Sequence, residues 1–285
     1  MRINNYLSVC MFQLKVQLDC NSQNEYIVET DEVLSQIESA FQIIEEYKPD
    51  IAMFPEMAYL QRYDETYQKL SLFRIIVAGS YYKEGINTTV VFSAGKKYEF
   101  TKIYASGAEP MARKVSFIHP DEFLQSEIQS HEFWIKGKKL YILNCMEYYH
   151  AAYYIARNPS LKNDLFGIFT ICSNSNTRVF EEETVCIHNH NENLYTFTLN
   201  CVGTYKAENY GDGKSYIYGP VSIHEKEWLR QESIESKKNV CHVLSLSSEK
   251  AQFIYGKFVF PEYLSRYGRS DIYLNNPRDI TVKDL

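Results

Sequence analysis

Short apolar runs separated by polar stretches alternate along the chain with segments in which apolar residues recur at helical spacing. Leu7-Ser-Val-Cys-Met-Phe-Gln-Leu-Lys-Val16 reads as a first strand, rich in residues that suit a half-buried pleated surface. Thr30 or Asp31 can cap a following helix, in which Val33, Leu34, Ile37, Phe41 and Ile44 share a face until Lys48-Pro49 stops it. Asp50 to Glu56 and Arg74 to Tyr82 are the next strands, and Thr88 to Phe92 pairs with Tyr98 to Tyr104 across a turn at Ala94-Gly95-Lys96. A second hairpin about Gly137 joins Phe133–Lys136 to Lys139–Asn144. The pattern then gives a helix over Met146–Arg157, a strand over Leu165–Cys172, a helix over Thr177–His188, and strands at Tyr195–Val202, Ser215–Tyr218 and Asn239–Leu246.

Strands and helices alternate throughout, so the fold class is α/β. With 285 residues and 45% hydrophobic content the chain can bury a large core, and no repeat or linker divides it. The expectation is one domain over 1–260, followed by a polar, poorly patterned tail or arm over 261–285. No run approaches the roughly 20 apolar residues of a membrane span. Nor does a signal-like apolar segment follow Met1-Arg-Ile-Asn-Asn5, which predicts a soluble, cytoplasmic protein without a membrane partner. Seven scattered cysteines, an odd number mostly embedded in apolar segments, suit reduced thiols better than a disulfide framework. A formal charge of -6, with aromatics spread instead of interleaved with basic clusters, disfavours nucleic acid.

Three apolar runs end in residues of complementary chemistry. Asp50-Ile-Ala-Met-Phe-Pro-Glu56 ends in an acid, Tyr98-Glu-Phe-Thr-Lys102 in a cation, and Leu140-Tyr-Ile-Leu-Asn-Cys145 in a thiol. Ligands of open α/β sheets gather beyond the carboxyl ends of strands, so three such groups can meet in one pocket. A free thiol is mostly protonated at neutral pH, and Glu56 can serve as its base. Lys102 and a backbone N–H after Cys145 can stabilise the oxyanion formed when the sulfur attacks an amide carbonyl.

In that chain order, Glu56, Lys102 and Cys145 resemble the triad of the nitrilase superfamily, the carbon-nitrogen hydrolases. Phe54-Pro55-Glu56, Thr101-Lys102-Ile103 and Asn144-Cys145-Met146-Glu147 are similar to its three motifs. Asn200-Cys-Val-Gly203, Gly213-Lys-Ser215 and Pro220 continue the likeness downstream. The resemblance implies an αββα sandwich paired through the helix after Cys145 into a four-layer-type homodimer or higher homo-oligomer. It also implies hydrolysis of a small-molecule amide, more than a nitrile, through a cysteine thioester without a cofactor. Glu109 matches a second catalytic glutamate, and Met146, Glu147 and Tyr148 fall where substrate-binding residues are expected. Three positions depart from the family pattern: Thr101 stands for an arginine, Tyr104 for a frequent histidine, and Tyr148-Tyr-His150 for a more acidic or arginine-containing run.

Two other motifs invite different chemistry. Gly211-Asp-Gly-Lys-Ser215 imitates a phosphate loop, but Glu208 occupies the required glycine position and a strand follows where a helix should. Cys186-Ile-His188-Asn-His190, with His150, invites a metal, yet it lacks a paired Cys-x-x-Cys and sits at a helix end, where histidine is a favourable terminal charge. Tyr148, Tyr149 and Phe180 fit a pocket lining or packing and dimer contacts equally well. A catalytically inactive binding or oligomerisation module, and an ammonia-supplying amidase subunit, are the alternatives to a free-standing hydrolase.

Overall fold

Alternate residues of the first strand, β1 (Tyr6–Gln13), go to opposite sides of a sheet: Leu7, Val9 and Met11 enter one core, Cys10 and Phe12 another. This two-sided burial sets the architecture. In the computed structural model, residues 5–20, 26–27, 30–104, 127–161, 163–190, 194–205, 208–220, 242–260 and 278–285 are described.

The helix α1 (Asp31–Tyr47) starts at Thr30, whose hydroxyl accepts from the Val33 N–H, and ends at Lys48 in the left-handed conformation before Pro49. After it come β4 (Ile51–Met53), α2 (Asp64–Leu70), β5 (Ile75–Lys83), β6 (Ile86–Ser93) and β7 (Lys96–Thr101). With β16 (Gln252–Val259) and β17 (Arg278–Asp284), these strands form a seven-stranded sheet in the order β17-β16-β1-β4-β5-β6-β7. β1, β4 and β5 run parallel, and the remaining pairs are antiparallel.

The second sheet is built from β8 (Glu132–Ile135), β9 (Lys138–Asn144), β10 (Leu165–Cys172), β11 (Tyr195–Asn200), β14 (Tyr216–Tyr218) and β15 (His242–Ser245), in the order β15-β14-β11-β10-β9-β8. Its helices are α3 (Met146–Arg157) and α4 (Arg178–His190). A small sheet joins β12 (Val202–Tyr205) and β13 (Glu208–Asp212) to β2 (Lys15–Cys20) and β3 (Tyr26–Ile27).

Three apolar clusters separate four layers. One packs α1 on the outer face of the large sheet through Ile37, Phe41 and Ile44 against Phe12, Phe54 and Ile76. The central one fills the space between the sheets with Met11, Met53 and Val77 facing Ile142, Phe169 and Phe197. The third packs α3 and α4, through Ala152, Ile155 and Val185, on Tyr141, Leu143 and Ile168. The fold is thus α/β, an αββα sandwich as expected, with the central strands of both sheets buried on both faces.

Some elements differ from the sequence reading. The expected first strand breaks at Leu14 into β1 and β2, which belong to different sheets. The strand expected through Glu56 ends at Met53, leaving Phe54 to Glu56 as a loop. The expected tail ends in a strand: β17 pairs antiparallel with β16, and Leu285 packs beside the α1 core.

Candidate active site

Glu56 lies in the loop after β4, Lys102 directly follows β7, and Cys145 directly follows β9. Met53 ends β4, and the loop that follows is fastened to β5 by Phe54 N–H to Val77 O (2.8 Å), Met57 N–H to Ser80 Oγ (3.1 Å) and Tyr59 N–H to Ser80 O (3.3 Å). Gly79 makes room for this loop: a Cβ there would stand 2.5 Å from the Pro55 carbonyl oxygen, and its φ of +102° suits glycine alone. The loop delivers Glu56 inward.

Glu56 is buried, and its carboxylate is held on both oxygens. Oε1 accepts from Lys102 Nζ at 2.8 Å and from Asn87 Nδ2 at 2.8 Å, and Oε2 accepts from the Ser173 N–H at 2.8 Å. Lys102 follows β7, is also buried, and has its backbone pinned by an N–H bond to Asn87 O at 2.7 Å. A buried ion pair this well hydrogen-bonded keeps both charges in a water-poor space.

Cys145 closes β9 and opens α3. Its φ of 49° and ψ of -106° mark a sharp strand-to-helix elbow in a conformation that non-glycine residues seldom adopt, and its side chain is buried. Its N–H bonds Ile171 O at 2.8 Å, two residues before the Ser173 N–H that holds Glu56. The elbow and the carboxylate are therefore anchored to the same end of β10. Burial raises the pKa of the Cys172 thiol well above the ordinary value, with Cys145 and Glu56 adding to the rise and Lys102 opposing it. Burial likewise pushes Cys201 up to about 12. Cys172 and Cys201 are therefore protonated at neutral pH.

Of the residues expected to bind substrate, Glu147 and Tyr148 both make contacts within the fold. Glu147 is fully buried, and its oxygens accept the N–H groups of Asn144 (2.8 Å) and Ile103 (2.9 Å), with His131 Nε2 at 3.5 Å. It clamps the strand before the elbow to the residue after Lys102. The Tyr148 hydroxyl meets Thr184 Oγ1 at 2.6 Å, and its ring stacks on Phe180, so both rings fill the space between α3 and α4. Met146 is partly buried against the same cluster. Tyr149 is exposed. Glu109 lies outside the described residues.

Sequence reasoning missed Asn87, Ser173 and His131. Asn87 links Glu56 to Asn144, since its Oδ1 accepts from Asn144 Nδ2 at 3.2 Å. An asparagine near a hairpin turn carries no signal of such a role. Two of the departures from the family pattern touch each other: Tyr104 stacks on His150 with ring centroids 4.5 Å apart. The downstream motifs are structural ties. Asn200 Nδ2 donates to Asn174 O (2.8 Å) and Gly213 O (3.0 Å), and Gln13 Oε1 accepts from the Ser215 N–H at 3.0 Å, bracing the loop after Ser173. The histidine of the metal-like motif, His188, is buried with Nε2 3.0 Å from Thr196 Oγ1.

No family model and no curated protein matches the sequence. Solved structures do. The amidase from Nesterenkonia sp. AN1, captured with the acetamide moiety of fluoroacetamide added covalently at its active-site cysteine, aligns with a TM-score of 0.57 at 12% identity, over 95% of this chain and 97% of its own. XC1258 from Xanthomonas campestris, a CN-hydrolase superfamily protein with an arsenic adduct in its active site, aligns with a TM-score of 0.61 at 10% identity, over 91% and 92%. Saccharomyces cerevisiae Nit3, a member of branch 10 of the nitrilase superfamily, aligns with a TM-score of 0.54 at 13% identity, over 91% and 92%. The chain has the nitrilase-superfamily fold.

Proposed function

We propose that this protein hydrolyses a non-peptide carbon-nitrogen bond, an amide in preference to a nitrile, through a thioester on Cys145. The observation that carries the reading is the buried Glu56–Lys102 pair, tied through Ser173 to the strand end that anchors the Cys145 elbow. In this reading Glu56 takes the Cys145 proton and the sulfur attacks the amide carbon. Lys102 and the backbone N–H after Cys145 balance the oxyanion. The amine leaves with the proton from Glu56, and a water activated by Glu56 or Glu109 cleaves the thioester to acid. Two copies pair through α3, on which Tyr149 and Tyr154 are solvent-exposed.

The test is release of acid and ammonia from a panel of small amides by the wild type and by Cys145→Ala. Turnover that disappears in the variant supports the reading, and a mass increment on Cys145 identifies the acyl group. Equal turnover in both proteins overturns it. The ammonia-supplying alternative has its own motive: glutamine-dependent NAD+ synthetase from Acinetobacter baumannii aligns with 89% of this chain over 45% of its own, with a TM-score of 0.55. Glutamine hydrolysis stimulated by a co-purifying synthetase would favour it, and indifference to every partner would remove it.

A further inference from the structure

Cys145 has a sulfur neighbour. β9 and β10 run parallel with Asn144 opposite Ile171, so Cys172, the last residue of β10, lies beside Cys145, the elbow residue that directly follows β9. The Cys145 N–H bond to Ile171 O locks that register. Adjacent strands lie about 4.8 Å apart, within the Cα separation of roughly 4.4–6.8 Å that a disulfide spans. Side-chain direction agrees. Ile171 enters the core between the sheets, alternation turns Cys172 toward the helices, and Cys145 belongs to the same cluster beneath α3. Neither is in a disulfide. Cys201, beyond the end of β11, packs instead in the α1-side core, with its sulfur 3.1 Å from Ser173 Oγ.

We infer that Cys172 is a resolving thiol: after a hydroperoxide oxidises Cys145 to a sulfenic acid, the two cysteines close a disulfide that silences the site until a thiol reductant reopens it. The inference rests on the reading of Cys145 as an activated thiolate. In the first step the Cys145 sulfur attacks a peroxide oxygen and the O–O bond breaks. The sulfur loses two electrons and the peroxide departs reduced, as water or an alcohol. In the second, the Cys172 sulfur bonds to the sulfenic sulfur and the S–O bond breaks, and the departing hydroxide leaves as water with the proton that Cys172 gives up. In the reduced protein Cys172 stays protonated, its S–H directed to Leu199 O at 3.4 Å, so it does not compete for substrate. The disulfide keeps Cys145 from the irreversible sulfinic state.

The experiment treats the full chain with hydrogen peroxide, blocks remaining thiols, digests without reductant and maps the peptides by mass. The expected product joins the Cys145 and Cys172 peptides with the loss of two hydrogen masses, and dithiothreitol releases it while restoring amide hydrolysis. In Cys172→Ala, and in Cys172→Ser should the alanine variant fold poorly, the sulfenic acid persists, reacts with dimedone, and proceeds to a state that dithiothreitol does not rescue. A Cys145 sulfenic acid without a cross-link in the wild type overturns the inference, and so does a Cys172–Cys201 link. The mass readout needs no turnover. A chain that cross-links yet hydrolyses no amide either before oxidation or after dithiothreitol refutes only the proposed function, whereas an active chain that never forms the bond refutes only this inference.

Discussion

Asn87 donates its side-chain amide to Glu56 Oε1 at 2.8 Å and so shares with Lys102 the task of fixing the carboxylate. Asn87→Ala removes this bond and the link to Asn144 together. The expected result is a fall in kcat of about ten- to a hundredfold, the equivalent of a charge-assisted hydrogen bond of roughly 1.5–3 kcal/mol, with KM changed much less. Asn87→Asp sets a second carboxylate beside the first, and like charges favour protonation. The acidic limb of the pH–rate profile should then move to higher pH, which a purely structural defect would not produce.

Glu147 satisfies two backbone donors at zero exposure. Glu147→Gln turns an NH2 group toward one of those N–H groups and leaves it without an acceptor, a loss of about 1–3 kcal/mol. Urea unfolding should show the midpoint falling with the slope unchanged. A variant as stable as the wild type would remove the clamp from the account.

Gly79→Ala tests the loop that carries Glu56. The added methyl meets the Pro55 carbonyl at 2.5 Å in a left-handed backbone, so the loop must lift or the strand must bend. We expect destabilisation of roughly 1–3 kcal/mol. Hydrolysis should fall further than the loss of folded protein explains, measured as activity per folded molecule well below the melting temperature.

Acid stability should respond to His188. Burial lowers its pKa from the ordinary 6.5 to about 3, so the folded state keeps it neutral while the unfolded chain protonates below pH 6.5. Its contribution is complete above that pH and is lost as pH falls toward 3, at about 1.4 kcal/mol per pH unit. His188→Gln should flatten that slope in denaturant titrations between pH 6 and 4. Glu183, raised to about 7 by burial, acts oppositely: stability falls as pH rises through 7, and Glu183→Gln should blunt that loss.

Limiting iodoacetamide separates activation from access. Cys186 is exposed whereas Cys145 is buried, so access alone favours Cys186. Preferential labelling of Cys145 identifies it as the thiolate at neutral pH, and labelling that favours Cys186 contradicts the proposed nucleophile.

The layered α/β plan was legible because alternation and helical spacing report burial directly: Leu7, Val9 and Met11 against Cys10 and Phe12, and Val33, Ile37 and Ile44 along α1. The strand-end positions of Lys102 and Cys145 followed from the same runs. What stayed hidden depends on partners distant in sequence. Nothing local distinguishes Asn87 from a turn residue, because its role is set by Glu56 and Asn144. Nor does the motif around Cys145 disclose that the Glu147 carboxylate accepts backbone N–H groups from two segments, because Ile103 is 44 positions away. β16 was obscured by Gly256, and β17 by charged residues that suit an exposed sheet edge.

The seating of β1 between β4 and β16 bears on how the protein acquires its shape during synthesis. One flank of that strand is supplied by residues made soon after it, but the other arrives only with residues 252–259. Gln13 Nε2, at its end, waits for carbonyls 234 and 237 positions away. A ribosome-bound fragment can assemble α1, β4 and β5 yet must hold an open sheet edge until nearly all the chain has emerged. Late closure of this kind predicts slow maturation and a reliance on chaperones while that edge is bare.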